Sequence, residues 1–298
     1  MIELTVIIPT RNRRELLLEA LGSLLSVEDP AKEVIVVDDG STDGTTEAVL
    51  AYGPPVRLLS QPNKGPGAAR NAGAQSARGE YLAFLDSDDL WFPWTIGVYE
   101  QIIAKTGAAF IAGRPFRFRK SEELERVSRE QAQWEVFPDY LASGDTWRWW
   151  GCSSFVIKRE TFLEVKGFAD VWINGEDADL AMRLGGHGAF VQVTSPVTFG
   201  YREHQVSEMK KSDRTVAGAL HMLMEEHRGR YPGSNARARE RWQIITRHIR
   251  PVALDCLANG RKREAWQLYR GMLRWHLSLG RWKFLVGFLT RAIVVTKP

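Results

Sequence analysis

Between Leu4 and Leu85 the chain repeats one rhythm: a short apolar run, a polar break, then apolar residues at helical spacing. Leu4-Thr5-Val6-Ile7-Ile8 is the first run, and Pro9 closes it. A strand with one wet face alternates polar and apolar residues, so a nearly continuous run predicts a strand covered on both faces. Glu15 to Leu25 is leucine-rich with helical spacing. Glu33 to Val37 is a second strand, closed by Asp38-Asp39-Gly40-Ser41, after which Thr42 or Asp43 is placed to cap a helix reaching Tyr52. Val56 to Leu59 is a third strand and Gly67 to Ala77 an alanine-rich helix. Tyr81 to Leu85 is a fourth strand that runs into Asp86-Ser87-Asp88-Asp89.

Alternating strands and helices predict an α/β fold, with a mostly parallel sheet and helices on both faces. Such sheets bind ligands beyond the carboxyl ends of their strands, and here those ends are unusually acidic. From Ala108 to Tyr201 the rhythm loosens and aromatic residues accumulate, with Trp147, Trp149 and Trp150 crowded together. Beyond Gln205 the pattern is helical. Leu254 to Gly260 and Lys262 to Leu273 read as a helical hairpin with a glycine turn. No internal repeat is evident.

At 298 residues the chain has room for one sizeable α/β domain and a smaller appendage. Its two cysteines, Cys152 and Cys256, match neither a disulfide framework nor a zinc site, so a reducing, cytoplasmic setting is expected. No signal peptide is expected, because Met1-Ile2-Glu3 leads straight into the first strand. The best membrane-spanning candidate, Phe284 to Val295, is about 12 residues long and broken by Arg291, where about 20 are needed. Charge divides the chain: residues 1–200 carry 20 basic and 28 acidic side chains, whereas residues 201–298 carry 20 and 8. The acidic part suits metal binding, and the basic part suits an anionic surface.

Asp38-Asp39-Gly40-Ser41 could accept hydrogen bonds from a pyrimidine base or ribose, or could be an ordinary turn with an aspartate cap. In Asp86-Ser87-Asp88-Asp89 three carboxylates repel one another, and a divalent cation would relieve them. A solvated acidic loop is the plainer alternative, weakened by the buried strand that delivers it. Gly175-Glu176-Asp177-Ala178-Asp179-Leu180 opens a helix; its acids are explained by the helix dipole or by a general base at the helix start. Gly65-Pro66-Gly67-Ala68-Ala69-Arg70 nearly matches a dinucleotide fingerprint, but Arg70 replaces the last glycine, so it reads as a helix start bearing two cations for phosphate, Lys64 and Arg70.

As a set these segments resemble family 2 of the glycosyltransferases, which have the GT-A fold. The resemblance runs through Val6-Ile7-Ile8-Pro9-Thr10-Arg11-Asn12-Arg13, Val36 to Thr45, Asn63-Lys64-Gly65 and Ala69-Arg70-Asn71-Ala72-Gly73. It continues through Phe84 to Asp89, Gly167-Phe168 and Glu176 to Leu180, and covers about residues 1–204. It implies a catalytic domain over 1–204, with a nucleotide half over 1–105 and an acceptor half over 106–204, and a basic helical extension over 205–298. It also implies that Pro9, Arg11 and Asp39 line a nucleoside pocket, most often for uracil, and that Asp86 and Asp88 form the metal motif for Mn2+ or Mg2+. Asp177 would be the catalytic base, and His204, in Tyr201-Arg202-Glu203-His204, would face the diphosphate or the metal. The expected reaction is a single inverting transfer from a nucleotide-sugar, foremost a UDP-sugar, to a hydroxyl of a glycan, lipid-linked or other acceptor.

The chain lacks the Gln-x-x-Arg-Trp motif of processive synthases, so a single transfer per encounter is expected. A sugar nucleotidyltransferase should carry a glycine-rich, arginine-containing loop directly after the first strand, where this chain has Pro9-Thr10-Arg11-Asn12. A non-catalytic nucleotide-sugar-binding module should have lost its acidic motifs, which are present. Trp149 and Trp150 could hold an acceptor sugar by stacking, with Glu176 on the same side, although core packing is the default for tryptophan. The basic tail, with Arg270, Arg274, Arg281, Lys283 and Arg291 among aromatic residues, suits peripheral contact with the inner face of a membrane, or packing on the catalytic domain or a second subunit. No nucleic-acid motif accompanies the charge.

Overall fold

The computed structural model describes residues 3–25, 33–146, 151–203 and 212–294. By its contacts the chain forms two compact units. The first takes 1–140, 147–172 and 187–205; the second takes 141–146, 173–186 and 206–298. The stretches 141–146 and 173–186 thus group with the C-terminal helices.

The first unit is built on β1 (Leu4–Thr10), α1 (Arg14–Leu25), β2 (Glu33–Asp38), α2 (Thr45–Leu50), β3 (Val56–Ser60), α3 (Pro66–Ser76) and β4 (Tyr81–Phe84). It continues through β5 (Leu90–Trp91), α4 (Thr95–Thr106), β6 (Phe110–Ala112), β7 (Pro115–Phe118), β8 (Gln133–Phe137), β9 (Phe155–Lys158) and α5 (Arg159–Glu164). Beyond the second unit's α6 (Glu176–Arg183), β10 (Phe190–Ser195) and β11 (Phe199–Arg202) complete it. Among the described residues the main sheet has eight strands in the order β3-β2-β1-β4-β9-β6-β10-β8. Its first four strands are parallel. β9 then runs antiparallel to both β4 and β6, β10 is parallel to β6, and β8 closes the edge antiparallel. β5-β11-β7 form a small second sheet.

The apolar runs are explained by cover on two sides. All seven residues of β1 are buried. Val6, Ile8, Val34 and Val36 share a core with Leu17, Leu21 and Leu24 of α1. On the opposite face α3 packs so closely that a Cβ on Gly73 would lie 2.6 Å from Ile7 Cγ2 and 3.2 Å from Val37 Cγ2. Pro9 does not end β1, as expected from sequence, but sits inside it opposite Val37. Pairing with β4 stops at Ile7↔Phe84, so the missing proline N–H removes no ladder bond on that side. The cap of α2 also differs: Gly44, with φ 82°, stands at the N-cap, while Asp43 Oδ1 accepts the Thr45 N–H at 3.2 Å.

The second unit is helical: α6, α7 (Ser212–His227), α8 (Ala238–Ala258), α9 (Lys262–Ser278) and α10 (Trp282–Val294). The expected hairpin is α8 and α9, turning at Gly260, whose φ of +72° suits glycine. Arg241 of α8 and Glu226 of α7 form a buried, two-bond ion pair at 2.7 and 3.0 Å. Trp242 stacks on Trp275, and Phe288 of α10 stacks on Tyr269 of α9 at 4.3 Å. The 141–146 segment is held by arginines: Arg281 pairs with Asp145 at 2.8 Å, and Arg247 donates to the Gly144 carbonyl at 3.4 Å and to that of Thr146. Among the described residues no helix is long and apolar enough to cross a membrane.

Candidate functional site

The carboxyl ends of β1, β2 and β4 lie side by side in the sheet, and each delivers polar residues. After β2, Asp38 is structural: it is buried and accepts the Ser41 N–H at 2.9 Å and the Thr46 hydroxyl at 2.7 Å. Asp39, also buried, reaches the other way. It accepts the backbone N–H groups of Lys64 and Gly65, both at 2.8 Å, and the Gln61 amide at 2.7 Å. With the Asn63 amide oriented to satisfy both of its neighbours, Nδ2 donates to Asp39 Oδ2 and Oδ1 accepts from Arg11, each at 3.0 Å. Four donors match the roughly four lone-pair sites of a carboxylate. Asp39 therefore ties the 61–65 loop to the strand end, and Arg11 joins it through Asn63. Lys64 contributes its backbone here, while its side chain is exposed. Thr10, the last residue of β1, is buried with no hydrogen-bond partner for its hydroxyl. A buried polar group of that kind calls for a partner.

The 86–89 turn after β4 is compensated by cations drawn from far along the chain. Arg70 of α3 is buried, donates to Asp86 Oδ1 at 2.6 Å, and lies over the Phe168 ring at 5.3 Å. Arg13 donates to Asp88 Oδ2 at 2.8 Å. Arg202, at the end of β11, donates from Nε to the Asp88 carbonyl and from its backbone N–H to Asp89 Oδ1, both at 3.0 Å, and its Nη2 pairs with Glu19. Asp89 is fully buried and accepts the Ser153 hydroxyl at 2.6 Å, while that hydroxyl accepts the Asp86 N–H at 3.0 Å. Burial, then the charges of Asp88 and Asp86, raise the Asp89 carboxyl well above the ordinary carboxylate range. Two carboxylates, Asp86 and Asp88, thus stand at the strand end against an arginine each, and the third is structural. Among the described residues no group of three or more His, Cys, Asp and Glu side chains gathers as a metal cage would. Two carboxylates beside a phosphate-bearing ligand do fit the way Mg2+ and Mn2+ are commonly held, because an arginine contact leaves a carboxylate further acceptor sites.

In the second unit, Glu176 and Asp177 occupy the first turn of α6, behind Gly175 with φ 88°. Asp177 Oδ1 accepts the Ala178 N–H at 2.8 Å. Two residues on, Asp179 is buried and accepts the Tyr231 hydroxyl at 2.8 Å and Arg183 Nε at 2.9 Å, with His221 Nε2 3.5 Å away. Burial opposes ionisation of Asp179, but the His221 hydrogen bond and the Arg183 charge prevail, so its carboxyl titrates below the ordinary range. His221 is raised in turn, chiefly by Asp179. The acids of this turn therefore divide: Asp179 anchors the helix, and Asp177 is left at its partly exposed start.

The model of glycosyl transferase family 2 matches residues 5–167, more than half of the chain. The chain belongs to that family. Succinoglycan biosynthesis protein ExoO of Rhizobium meliloti is 44% identical over 234 residues, covering 72% of this chain and 65% of that protein. An uncharacterized glycosyltransferase of Rickettsia felis is 41% identical over 142 residues, covering 47% of this chain and 24% of that protein. The chain thus spans a quarter to two thirds of the length of these relatives. Among solved structures, Staphylococcus aureus TarS 1-349 matches with a TM-score of 0.66 at 19% identity, covering 91% of this chain and 79% of that one. The mannosyltransferase PcManGT of Pyrobaculum calidifontis, solved with GDP-Man and Mn2+, matches with a TM-score of 0.56 at 19% identity, covering 99% and 88%. The fold is the GT-A fold of these glycosyltransferases.

Of the residues singled out from sequence, the structure of this family 2 member brings Pro9, Arg11, Asp39 and the Lys64 backbone to the adjoining ends of β1 and β2, and Arg70 to Asp86 after β4. His204, Trp149 and Trp150 lie outside the described residues. Sequence reasoning passed over Arg13, Arg202 and Ser153, which fix the acidic turn. The signal for them was indirect: three adjacent carboxylates at a buried strand end need cations or donors from somewhere. It also passed over Trp172, which is 47% exposed and lies so close to Gly65 that a Cβ there would fall 3.4 Å from its ring.

Proposed function

We propose that this glycosyltransferase moves a sugar from a nucleotide-diphosphate donor, foremost a UDP-sugar, to an acceptor hydroxyl, with inversion at the anomeric carbon. The supporting observation is the three adjoining strand ends: a buried, unpartnered Thr10 hydroxyl on β1 and the Asp39 loop after β2, next to a turn after β4 presenting Asp86 and Asp88. The first two suit a nucleoside, and the third suits a diphosphate carried with a divalent cation. TarS 1-349 has been solved with UDP and with UDP-GlcNAc, and PcManGT with GDP-Man and Mn2+, which favours the same class of donor.

In this reading Pro9, Arg11 and Asp39 frame the nucleoside, with Asp39 holding the loop that closes over it. Lys64, Arg70 and Arg13 bring positive charge to the phosphates. Asp86, Asp88 and His204 would hold Mn2+ or Mg2+, which supplies Lewis-acid stabilisation of the leaving diphosphate. Asp177 takes the proton of the acceptor hydroxyl as its oxygen attacks the anomeric carbon from the side opposite the diphosphate. Glu176, Trp149 and Trp150 are the residues proposed to bind the acceptor. The likeness to a succinoglycan biosynthesis protein favours a glycan or lipid-linked acceptor in polysaccharide assembly.

The test is thermal unfolding with UDP, GDP and dTDP, each with and without Mn2+, on the wild type and on Asp88→Ala. A metal-dependent rise with UDP that disappears in Asp88→Ala is expected. Asp177→Asn should keep that rise and lose sugar transfer. A response only to GDP or dTDP reassigns the donor, and no response to any nucleotide refutes the site.

A further inference from the structure

We propose that the outward face of α10 seats this protein on an anionic lipid bilayer. One apolar stripe suffices for a helix that packs on its own protein, and α10 has two. Phe284, Leu285, Phe288 and Ala292 form the first and are buried, with Phe288 stacked on Tyr269. Trp282, Val286, Leu289 and Ile293 form the second. They are 60%, 58%, 41% and 63% exposed. Their spacing of four, three and four residues keeps them within an arc of about 60° at 100° per residue. On α9, Leu273 and Leu277 are exposed one turn apart.

The charge around this stripe identifies its partner. From Ala265 to Pro298 the sequence holds no aspartate or glutamate. Arg270, Arg274, Lys283 and Arg291 are exposed in the same stretch. A stretch that exposes apolar residues and whose charged side chains are all cations matches a surface that is apolar within and anionic at its rim, which is a bilayer bearing acidic headgroups. A second copy of the chain fits poorly, because pairing two such faces would bring cations together with no carboxylate between them. The helix, at 13 residues, is about 20 Å long, so it lies in the interface and does not span.

The experiment is flotation of the full chain with vesicles of phosphatidylcholine alone and of equal parts phosphatidylcholine and phosphatidylglycerol. Binding to the anionic vesicles is expected, at least tenfold weaker on the neutral ones, and reduced by about the same factor between 50 mM and 500 mM NaCl. Val286→Glu with Ile293→Glu should lower partitioning at least tenfold while leaving the unfolding temperature and circular dichroism unchanged. Those side chains are exposed, so the variant should fold. Three results overturn the proposal: wild type that stays with the unbound fraction at low salt, a double variant that floats as well as wild type, or a concentration-dependent dimer in sedimentation that the same substitutions abolish. None depends on the nucleotide site, so failure here and failure of the transferase reading are distinguishable.

Discussion

Replacing Gly218 by alanine tests whether α7 sets the position of the proposed base. Gly218 lies inside α7, where alanine should on propensity alone stabilise by about 1 kcal/mol. The structure predicts the opposite sign. A Cβ at this position would lie 1.9 Å from the Asn174 carbonyl oxygen and 3.1 Å from its carbon, and neither backbone atom can rotate away as a side chain would. The same segment is fastened on both sides of that contact: the Asn174 N–H donates to the Arg214 carbonyl at 3.2 Å, and the Asn174 side chain donates to the Thr215 hydroxyl at 3.0 Å. Reaching an ordinary contact of about 3.4 Å requires the 173–175 backbone to move by more than 1 Å, which would stretch both bonds. Overpacking of this kind costs about 1–3 kcal/mol, and the loss of two hydrogen bonds about 1 kcal/mol each. Against the propensity gain, a net destabilisation of about 2–4 kcal/mol is expected. Asp177 lies three residues beyond Asn174, and a displacement of about 1 Å at a reacting group lowers a rate by about 100-fold. The assays are urea unfolding and steady-state sugar transfer, with donor affinity measured separately by titration. Lower stability and lower kcat with unchanged donor affinity are expected. An alanine variant more stable than wild type, with unchanged kcat, would refute both the contact and the positioning argument.

Three further outcomes follow from the site. Asp39→Asn places an NH2 group against donors that now converge on a carboxylate, so about 1–3 kcal/mol of stability and most of the nucleotide affinity should be lost, read by urea unfolding and by UDP titration; retention of both would show that the 61–65 loop is held by other means. Arg70→Met removes a buried cation and leaves Asp86 beside Asp88 and Asp89. Because Asp86 is one-third exposed, the cost should be about 2 kcal/mol, below the roughly 3–5 of a fully buried pair, and an unchanged urea midpoint would contradict the assignment. His221 has a folded pKa raised above its ordinary 6.5, so its contribution is complete below about pH 6.5 and fades as the pH climbs through the folded value. Asp179, lowered, contributes above its unfolded value of about 3.8 and loses that contribution as the pH falls through the folded one. His221→Gln should therefore flatten the alkaline limb of the stability profile and also shrink the acid limb, because His221 helps hold the Asp179 carboxyl low; an unchanged alkaline limb would exclude the pair as its source.

How far the fold could be read from sequence depended on what each residue meets. The first four strands were legible because both faces of the sheet are covered, so that Val6 and Ile8 meet α1 while Ile7 meets α3, and apolar runs are the direct trace of that burial. The small sheet was not, because β5 has two residues and β7 and β11 four each, too few to set a period. The grouping of 141–146 and 173–186 with the helices was equally hidden, since it rests on contacts such as Arg281–Asp145 and Gly218–Asn174 between segments far apart in sequence. At the site, strand-end position marked the right acidic turns, but the reasoning attached to one of them changes. Three adjacent carboxylates suggested a cation because their mutual repulsion had no visible relief. Relief comes from Arg13, 75 residues before Asp88, from Arg70, and from Arg202, more than 110 residues beyond. Burial further disfavours charge on Asp89. Repulsion within the turn therefore no longer argues for a metal. The case for one rests on what the turn must receive: a nucleotide diphosphate brings its own negative charge to Asp86 and Asp88, and arginines shared between those carboxylates and the phosphates neutralise only part of it.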